Sequence, residues 1–156
     1  MTPATKSLDR AGVRYGVHPY EHDEAAVSFG LEAAEALGVD PAGVFKTLMA
    51  ELAGTGELVV AIVPADKRLG LKALAAAAGA KKAAMADVAR AERSSGYVAG
   101  GISPFGQRAT RRTFIDVSAL GFEEIYVSGG RRGLDLSLAP TDLVAVTDAA
   151  IVDLSA

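Results

Sequence analysis

Residues 96–106 have the sequence Gly-Tyr-Val-Ala-Gly-Gly-Ile-Ser-Pro-Phe-Gly, and the other elements have to build a fold around this irregular backbone. Four glycines and a proline exclude a packed helix or a regular strand, because glycine loses the most backbone freedom on folding and proline donates no hydrogen bond. Glycines without Cβ atoms let a ligand approach main-chain N–H groups closely, as oxyanion and phosphate sites require. The segment therefore predicts either a plain surface turn or a backbone-lined binding site.

The composition is that of an ordinary globular protein. The chain has 156 residues, of which 50% are hydrophobic and 22% are charged, and this is enough to bury a core without disulfides or metals. We expect a single domain spanning residues 1–156. The absence of cysteine excludes a disulfide framework, a thiolate nucleophile and a thiolate-held metal, and we expect neither a cofactor nor a metal.

The N-terminal sequence and the net charge bear on location and partners. The first ten residues lack the apolar run of a signal peptide, and no stretch reaches the roughly 18 apolar residues of a membrane span. We therefore expect a cytoplasmic protein with no membrane contact. A formal net charge of -3 argues against a protein that binds nucleic acid by bulk electrostatics alone. Contact with nucleic acid should be local or helped by a partner.

The hydrophobic pattern predicts alternating short helices and strands. Helices are expected at residues 3–11, 29–37, 71–78 and 87–93, with a last helical turn after Pro140, and a loop is expected at residues 20–27. Strands are expected at residues 13–18, 44–52, 57–63, 113–117, 124–128, 134–138 and 151–154. Short hairpin links and interspersed helices favour an α+β fold, in which helices pack around a mixed, largely antiparallel sheet, over a doubly wound parallel fold.

Two of these strands carry further information. The apolar run at residues 58–63 is unbroken, which predicts a strand covered on both faces in a central hairpin with residues 44–52. In residues 13–18, Val13, Tyr15 and Val17 alternate with polar or small residues, which predicts a strand with one polar face.

Lys46 is the most informative single position. Leu48 and Ala50 share its face of the predicted strand, so the ammonium group emerges among apolar neighbours, where a charge is costly unless an anion meets it. A desolvated lysine can bind a phosphate or carbonyl oxygen, or lose its proton and act as a base or nucleophile. The alternative is a lysine whose ammonium group reaches solvent at the end of the strand.

A second glycine-rich segment, residues 128–135, has the sequence Ser-Gly-Gly-Arg-Arg-Gly-Leu-Asp. In the strand that follows, Leu134 and Leu136 take one face, so Asp135 points to the other. One interpretation is a hairpin turn with solvated charges. The other is a pocket lined by the backbone of both glycine-rich segments.

Common catalytic signatures are missing from the sequence. The two histidines, His18 and His22, do not lie on one helix face and are expected at the surface or in loops. Ser103 is not in a nucleophile-elbow motif, and no phosphate-binding loop or dinucleotide fingerprint occurs. A reaction that depends on positioning and main-chain donors remains open. Pairs of adjacent basic residues occur at 67–68, 81–82, 111–112 and 131–132. They are either ordinary solvated surface charges or part of a rim that faces phosphate groups.

Three motifs together resemble the YbaK/EbsC family of Cys-tRNA(Pro) deacylases, which is related to the editing domain of bacterial prolyl-tRNA synthetases. They are Phe-Lys-Thr-Leu at residues 45–48, the segment 96–106, and Tyr-Val-Ser-Gly-Gly-Arg-Arg-Gly-Leu-Asp at residues 126–135. The similarity extends over essentially the whole chain.

The resemblance implies a trans-editing enzyme that hydrolyses the ester between a wrongly attached cysteine and the terminal ribose of proline tRNA, acting beside prolyl-tRNA synthetase. In that family the thiol of the substrate helps to expel the tRNA. The resemblance assigns catalysis to Lys46 and Gly101. The substrate-binding positions that it implies are Tyr20, Phe29, Thr47, Gly100, Ser128 and Asp135. The alternatives are another mischarged substrate such as Ala-tRNA(Pro), and a non-catalytic module that binds tRNA or a synthetase.

Overall fold

A computed structural model of the protein describes residues 1–25 and 28–156, so the predicted loop at 20–27 includes two residues, 26 and 27, that lie outside the described part. The described part contains five α-helices and eight β-strands, which confirms the α+β class. In chain order these are α1 (Pro3–Ala11), β1 (Gly16–Pro19), α2 (Phe29–Leu37), β2 (Phe45–Leu52), β3 (Leu58–Pro64), α3 (Leu71–Ala78), β4 (Ala83–Met85), α4 (Val88–Ser95), β5 (Thr113–Asp116), β6 (Ile125–Arg131), β7 (Leu134–Leu138), α5 (Pro140–Thr147) and β8 (Ala150–Val152).

The strands are divided between two sheets. The predicted hairpin of β2 and β3 lies at the centre of a five-stranded sheet in the order β4-β2-β3-β5-β8. In this sheet β5 runs parallel to both β3 and β8. The other sheet is antiparallel and has the order β1-β7-β6. The mixed, largely antiparallel pairing is therefore as predicted, although it is shared by two sheets.

The hydrophobic core lies on both faces of the central hairpin. Every residue of β3 is buried, as the unbroken apolar run predicts. On one face, Phe45 and Met49 pack in a cluster that joins the two sheets. On the other, Ala50 and Leu52 pack under α3. Because side chains alternate along a strand, Lys46 belongs to the face of Ala50 and Leu52.

Helix α2 begins and ends where the sequence predicts. The Ser28 hydroxyl accepts a hydrogen bond from the Leu31 N–H at 3.4 Å, and Gly38 ends the helix at a φ of 67° in the left-handed region. This fixes Phe29 in the first turn. Across both described ranges, the helices are too short or too polar to cross a membrane.

Strand β1 differs from the prediction for residues 13–18 in its bounds and its orientation. It begins at Gly16, and Val17 is 55% exposed. His18 instead faces the sheet, with its Nε2 atom 2.7 Å from Ser137 Oγ and its ring 5.0 Å from that of Tyr126. The predicted faces are thus reversed, because β1 is an edge strand whose inner face meets polar side chains of its sheet.

The second glycine-rich segment also differs in detail. Gly129 and Gly130 belong to β6, in an irregular stretch of register between Ser128 and Arg131, and the turn consists of residues 132–133. The irregular register allows the two glycines to bend the strand. Strand β4 was not predicted, because three residues are too few to show a period.

Candidate active site

A cavity of about 260 Å³ opens between β2, the first turn of α2 and strands β6 and β7. Its volume lies just below the roughly 300–1,000 Å³ of most small-molecule sites. The lining includes seven of the eight residues that the resemblance indicates, namely Tyr20, Phe29, Lys46, Thr47, Gly100, Ser128 and Asp135.

Lys46 forms one wall of the cavity from β2, where it is opposite Val63. Burial lowers the pKa of Lys46, the Asp66 carboxylate opposes this effect, and the Arg68 guanidinium adds to it. No carboxylate within residues 1–25 and 28–156 lies within 4.0 Å of its ammonium group. The side chain is therefore a partly desolvated cation that is available to an anion or a carbonyl oxygen.

Asp135 is a buried carboxyl group in the same cavity. It lies on β7, opposite His18 on one side and Ser128 on the other, and is 5% exposed. Burial raises the pKa of Asp135 to about 7 from its ordinary value of 3.8. Burial also raises the pKa of Tyr20 to about 12, with a further contribution from the Asp135 charge. The Asp135 carboxyl is thus poised to change charge near neutral pH.

Two residues with hydroxyl groups, Thr47 and Ser128, also line the cavity. The Thr47 Oγ1 atom is buried and has no hydrogen-bond partner in the part of the protein that the structure describes. A buried polar atom without a partner is costly, so this hydroxyl indicates a place for a polar group of a ligand. The Ser128 Oγ atom accepts a hydrogen bond from the Gly130 N–H at 3.2 Å, which fixes its direction.

Phe29 and Gly100 line one edge of the cavity, which we call its mouth, and Arg132 lies against both residues. The Arg132 guanidinium lies 4.8 Å from the centre of the Phe29 ring, and its Nε atom donates to the Ala99 carbonyl at 2.8 Å. Gly100 has a φ of +84°, and a Cβ atom there would lie 2.8 Å from the Phe29 ring. Because Gly100 has no side chain, Phe29 and Arg132 can pack against its backbone and the mouth stays open.

Gly101 is not among the described residues that line the cavity, so its assignment to catalysis stays a prediction. Its N–H donates to the Val98 carbonyl at 2.9 Å within the turn. A Cβ atom on Gly101 would lie 2.8 Å from Arg131 Cα and 2.9 Å from the Arg131 carbonyl carbon. Gly101 is thus required because the two glycine-rich segments pack backbone against backbone.

This packing leads to a prediction about stability. Gly101→Ala should lower the free energy of unfolding by about 1–3 kcal/mol, because the added methyl group meets backbone that cannot yield. Gly121→Ala is the matched control and should change stability by less than about 0.5 kcal/mol, since nothing lies within 4 Å of its Cβ position. Urea unfolding of both variants measures the difference. Equal stability of the two would contradict the close packing.

The two histidines have structural contacts. The His22 Nδ1 atom lies 2.8 Å from Glu32 Oε1, and the other oxygen of Glu32 accepts from the Asp23 N–H at 2.7 Å. His22 lies in a loop, as expected, and its side chain is 15% exposed. These bonds hold the segment after Tyr20 against α2.

Two of the four basic pairs lie away from the cavity. Arg112 Nε donates to Glu57 Oε2 at 2.8 Å, and residues 81–82 precede β4 at the far end of β2. The other two pairs each have one member near the cavity: Arg68 affects the pKa of Lys46, and Arg132 lies against the Phe29 ring.

Sequence reasoning missed six lining residues. One is Phe45, on the opposite face of β2 from Lys46, and the other five are Ser28, Gly30, Val44, Leu48 and Ile102. The alternation of β2 could have indicated Val44 and Leu48, because they share the face of Lys46. The other three depend on how α2 and the glycine loop pack, and no local pattern encodes that.

The fold and this cavity define an aminoacyl-tRNA editing domain. The chain matches the model of that family over residues 24–146, and it belongs to the family. The class of enzyme expected from the sequence, a deacylase acting on the ester bond of aminoacyl-tRNA in translation, is confirmed.

The similar proteins agree with the predicted resemblance. The chain is 32% identical over 154 residues to EbsC of Enterococcus faecalis, described as a candidate Cys-tRNA(Pro)/Cys-tRNA(Cys) deacylase; the match covers 99% of this chain and 93% of EbsC. Hypothetical protein APE2540 has a solved structure with a TM-score of 0.87 and 26% identity over 99% of both chains. A candidate trans-editing enzyme for prolyl tRNA synthetase has a TM-score of 0.83 and 23% identity, covering 99% of this chain and 95% of that one, and it confirms the fold.

Proposed function

We propose that this protein is a trans-editing enzyme that hydrolyses the ester of mischarged Cys-tRNA(Pro), with residues 1–156 acting as one domain in the cytoplasm. The observation that carries the proposal is the convergence of Lys46, Thr47, Ser128 and Asp135 on one cavity. The name of the relative EbsC supports the choice of substrate.

The charges of the cavity suit an aminoacyl ester. Among the described residues that line the cavity, only Asp135 has a carboxyl group. Its carboxylate pairs with the α-ammonium group of the amino acid, and this ion pair offsets the cost of burying the carboxylate. Asp135 lies on β7 and Lys46 on β2, which belong to different sheets, and no ion pair within 4.0 Å joins the two side chains. Lys46 therefore holds the other end of the substrate, at the carbonyl or the terminal ribose, and the Thr47 hydroxyl bonds a substrate polar atom.

The cysteine substrate supplies its own nucleophile. Its sulfur attacks the ester carbonyl, a C–S bond forms, and the bond between the carbonyl carbon and the ribose oxygen breaks. The thiol proton passes to the departing ribose oxygen, and water then opens the resulting thiolactone to free cysteine. The protein contributes by positioning and by stabilising charge at the carbonyl, which requires no catalytic cysteine or histidine.

A second hydrolytic site is needed because proline and cysteine are similar in size. A synthetase pocket separates such substrates by only about 1–3 kcal/mol. We propose that the enzyme acts beside prolyl-tRNA synthetase, which supplies most of the affinity for tRNA, consistent with the net charge of -3.

Parallel deacylation assays with Cys-, Ala- and Pro-tRNA(Pro) test the substrate. We expect Cys-tRNA(Pro) to be hydrolysed about tenfold faster or more than Ala-tRNA(Pro), because alanine has no thiol, and Pro-tRNA(Pro) to be left intact. If Ala-tRNA(Pro) were hydrolysed faster than Cys-tRNA(Pro), Ala-tRNA(Pro) would be the main substrate. Binding without hydrolysis above the spontaneous rate would instead indicate a non-catalytic module.

A further inference from the structure

Three arginines border one loop at the mouth of the cavity. The loop is residues 96–101, and Arg108 lies at its first end, where a Cβ atom on the first glycine would be 3.5 Å from Arg108 Cβ and Nε. Arg131 and Arg132 lie at its other end, where a Cβ atom on the last glycine would be 2.8 Å from Arg131 Cα. We call these three residues the arginine strip.

The arginine strip is exposed and not neutralised by the protein. All three residues are exposed, and in the described ranges no carboxylate lies within 4.0 Å of any of the three guanidinium groups. The Phe29 ring and the Ala99 carbonyl hold Arg132 in place, and its terminal N–H groups donate to no atom of the described residues. In a chain whose net charge is -3, this is a local concentration of positive charge.

The side of the cavity that Ser28 borders is acidic. A groove next to the cavity shares Ser28 with it and is lined by four carboxylates, which are Glu21, Asp23, Glu32 and Glu35. A polyanion at the mouth is therefore attracted to the arginine strip and repelled from the acidic side.

We propose that the RNA strand that carries the aminoacyl group leaves the cavity across the loop 96–101, with its phosphates against the arginine strip. This rests on the proposed function, because the ester in the cavity fixes where the strand begins. The cavity of about 260 Å³ is far too small to enclose a strand of several nucleotides, so the phosphates before the terminal adenosine lie outside it. Arginine contacts to phosphate orient the strand and carry no sequence information.

The test removes two charges of the arginine strip that do not touch the cavity. The double variant Arg108→Gln, Arg131→Gln is compared with the control Lys81→Gln, Lys82→Gln, which removes two exposed charges near β4. Two substrates are used, Cys-tRNA(Pro) and the cysteinyl ester of adenosine, and kcat/KM is measured across a series of salt concentrations.

We expect the arginine variant to lose about tenfold in kcat/KM on the tRNA at low salt. Its slope of log kcat/KM against log salt should be shallower by about 1.4, because each single-strand phosphate contact contributes about 0.7. The adenosine ester should be cleaved at the wild-type rate by both variants, and the control should keep the wild-type slope. Replacing the two arginines with lysine, which keeps the charge, should restore most of the slope and shows that the fold is not the cause.

Equal slopes for the arginine variant and the control would overturn the proposal. A defect that arises only when prolyl-tRNA synthetase is present would also overturn it, since the arginine strip would then bind protein. Failure of the wild-type protein to cleave either ester is a separate outcome, which refutes the proposed function itself.

Discussion

Lys46→Ala is expected to remove deacylation of Cys-tRNA(Pro) while leaving the fold intact. Lys46 is a partly desolvated cation on the cavity wall with no carboxylate within 4.0 Å in the described ranges, so its charge is available to the substrate. Loss of one such stabilising group at a reacting carbonyl costs about 10²- to 10³-fold in rate. Single-turnover hydrolysis of purified Cys-tRNA(Pro) measures the loss, and circular dichroism checks the fold.

Lys67→Ala is the matched control, because Lys67 is an exposed lysine just beyond β3 and does not line the cavity. It should retain the wild-type rate. Lys46→Met should not lower the melting temperature, since burial lowers the pKa of Lys46 and its ionised form is disfavoured in the folded protein. Normal turnover by Lys46→Ala would remove the lysine from the mechanism.

The position of Lys46 could be predicted because β2 and β3 carry strong periodic signals. Phe45 and Met49 face the joint core, Ala50 and Leu52 face α3, and period-two alternation then fixes where the lysine points. Burial on both faces of β3 follows from its unbroken apolar run. Local pattern was sufficient here because both strands are central in their sheet.

The burial of Asp135 could not be predicted in the same way. Alternation correctly separates Asp135 from Leu134 and Leu136, and a polar side chain there is ordinarily taken as solvated. In the structure every residue of β7 is buried, because β7 is the middle strand of its sheet and Asp135 faces the cavity beside Tyr20 and Ser128. The burial of Asp135 depends on tertiary packing, and the residues next to it in the sequence do not indicate that packing.

The backbone roles of glycine were also beyond the sequence. Gly100 and Gly101 are adjacent and chemically identical, yet the first lies at the mouth and the second packs on Arg131. Only the path of the second glycine-rich segment distinguishes them. A motif therefore located the site without specifying which N–H groups face it.

Asp135→Asn is expected to make the free protein more stable above pH 7 and much less active. The folded-state pKa of Asp135 is about 7, above its ordinary value of 3.8. Between these values the unfolded chain releases the proton and the folded chain keeps it, so the contribution of Asp135 to stability falls as pH rises from about 4 to 7 and is then constant. The asparagine variant avoids this cost. Its free energy of unfolding should exceed that of the wild-type protein by on the order of 2–4 kcal/mol at pH 8, and should differ little at pH 4.

Activity should change in the opposite direction. In the wild-type protein, kcat/KM is expected to rise with pH through about 7, as Asp135 ionises and can pair with the substrate ammonium group. Because asparagine carries no charge, kcat/KM of the variant should not rise with pH around 7. At pH 8 its kcat/KM should be about 10- to 100-fold lower than that of the wild-type protein. Measuring kcat/KM of both proteins at several pH values between 5.5 and 8.5 tests this difference, because the range covers both sides of the Asp135 pKa.

Asp116→Asn is the control with the opposite sign. Burial alone would raise the pKa of Asp116, but hydrogen bonds from the Ser118 hydroxyl and from the N–H groups of Leu154, Ser118 and Ser155 outweigh it and lower the pKa. The stability that Asp116 contributes is present at neutral pH and lost as pH falls through its folded-state pKa. Asp116→Asn should therefore destabilise the protein at pH 7, and thermal unfolding at several pH values separates the two variants. If Asp135→Asn also destabilised the protein at pH 8, Asp135 would be a structural carboxylate that already has a partner, and its assignment to the substrate ammonium group would be wrong.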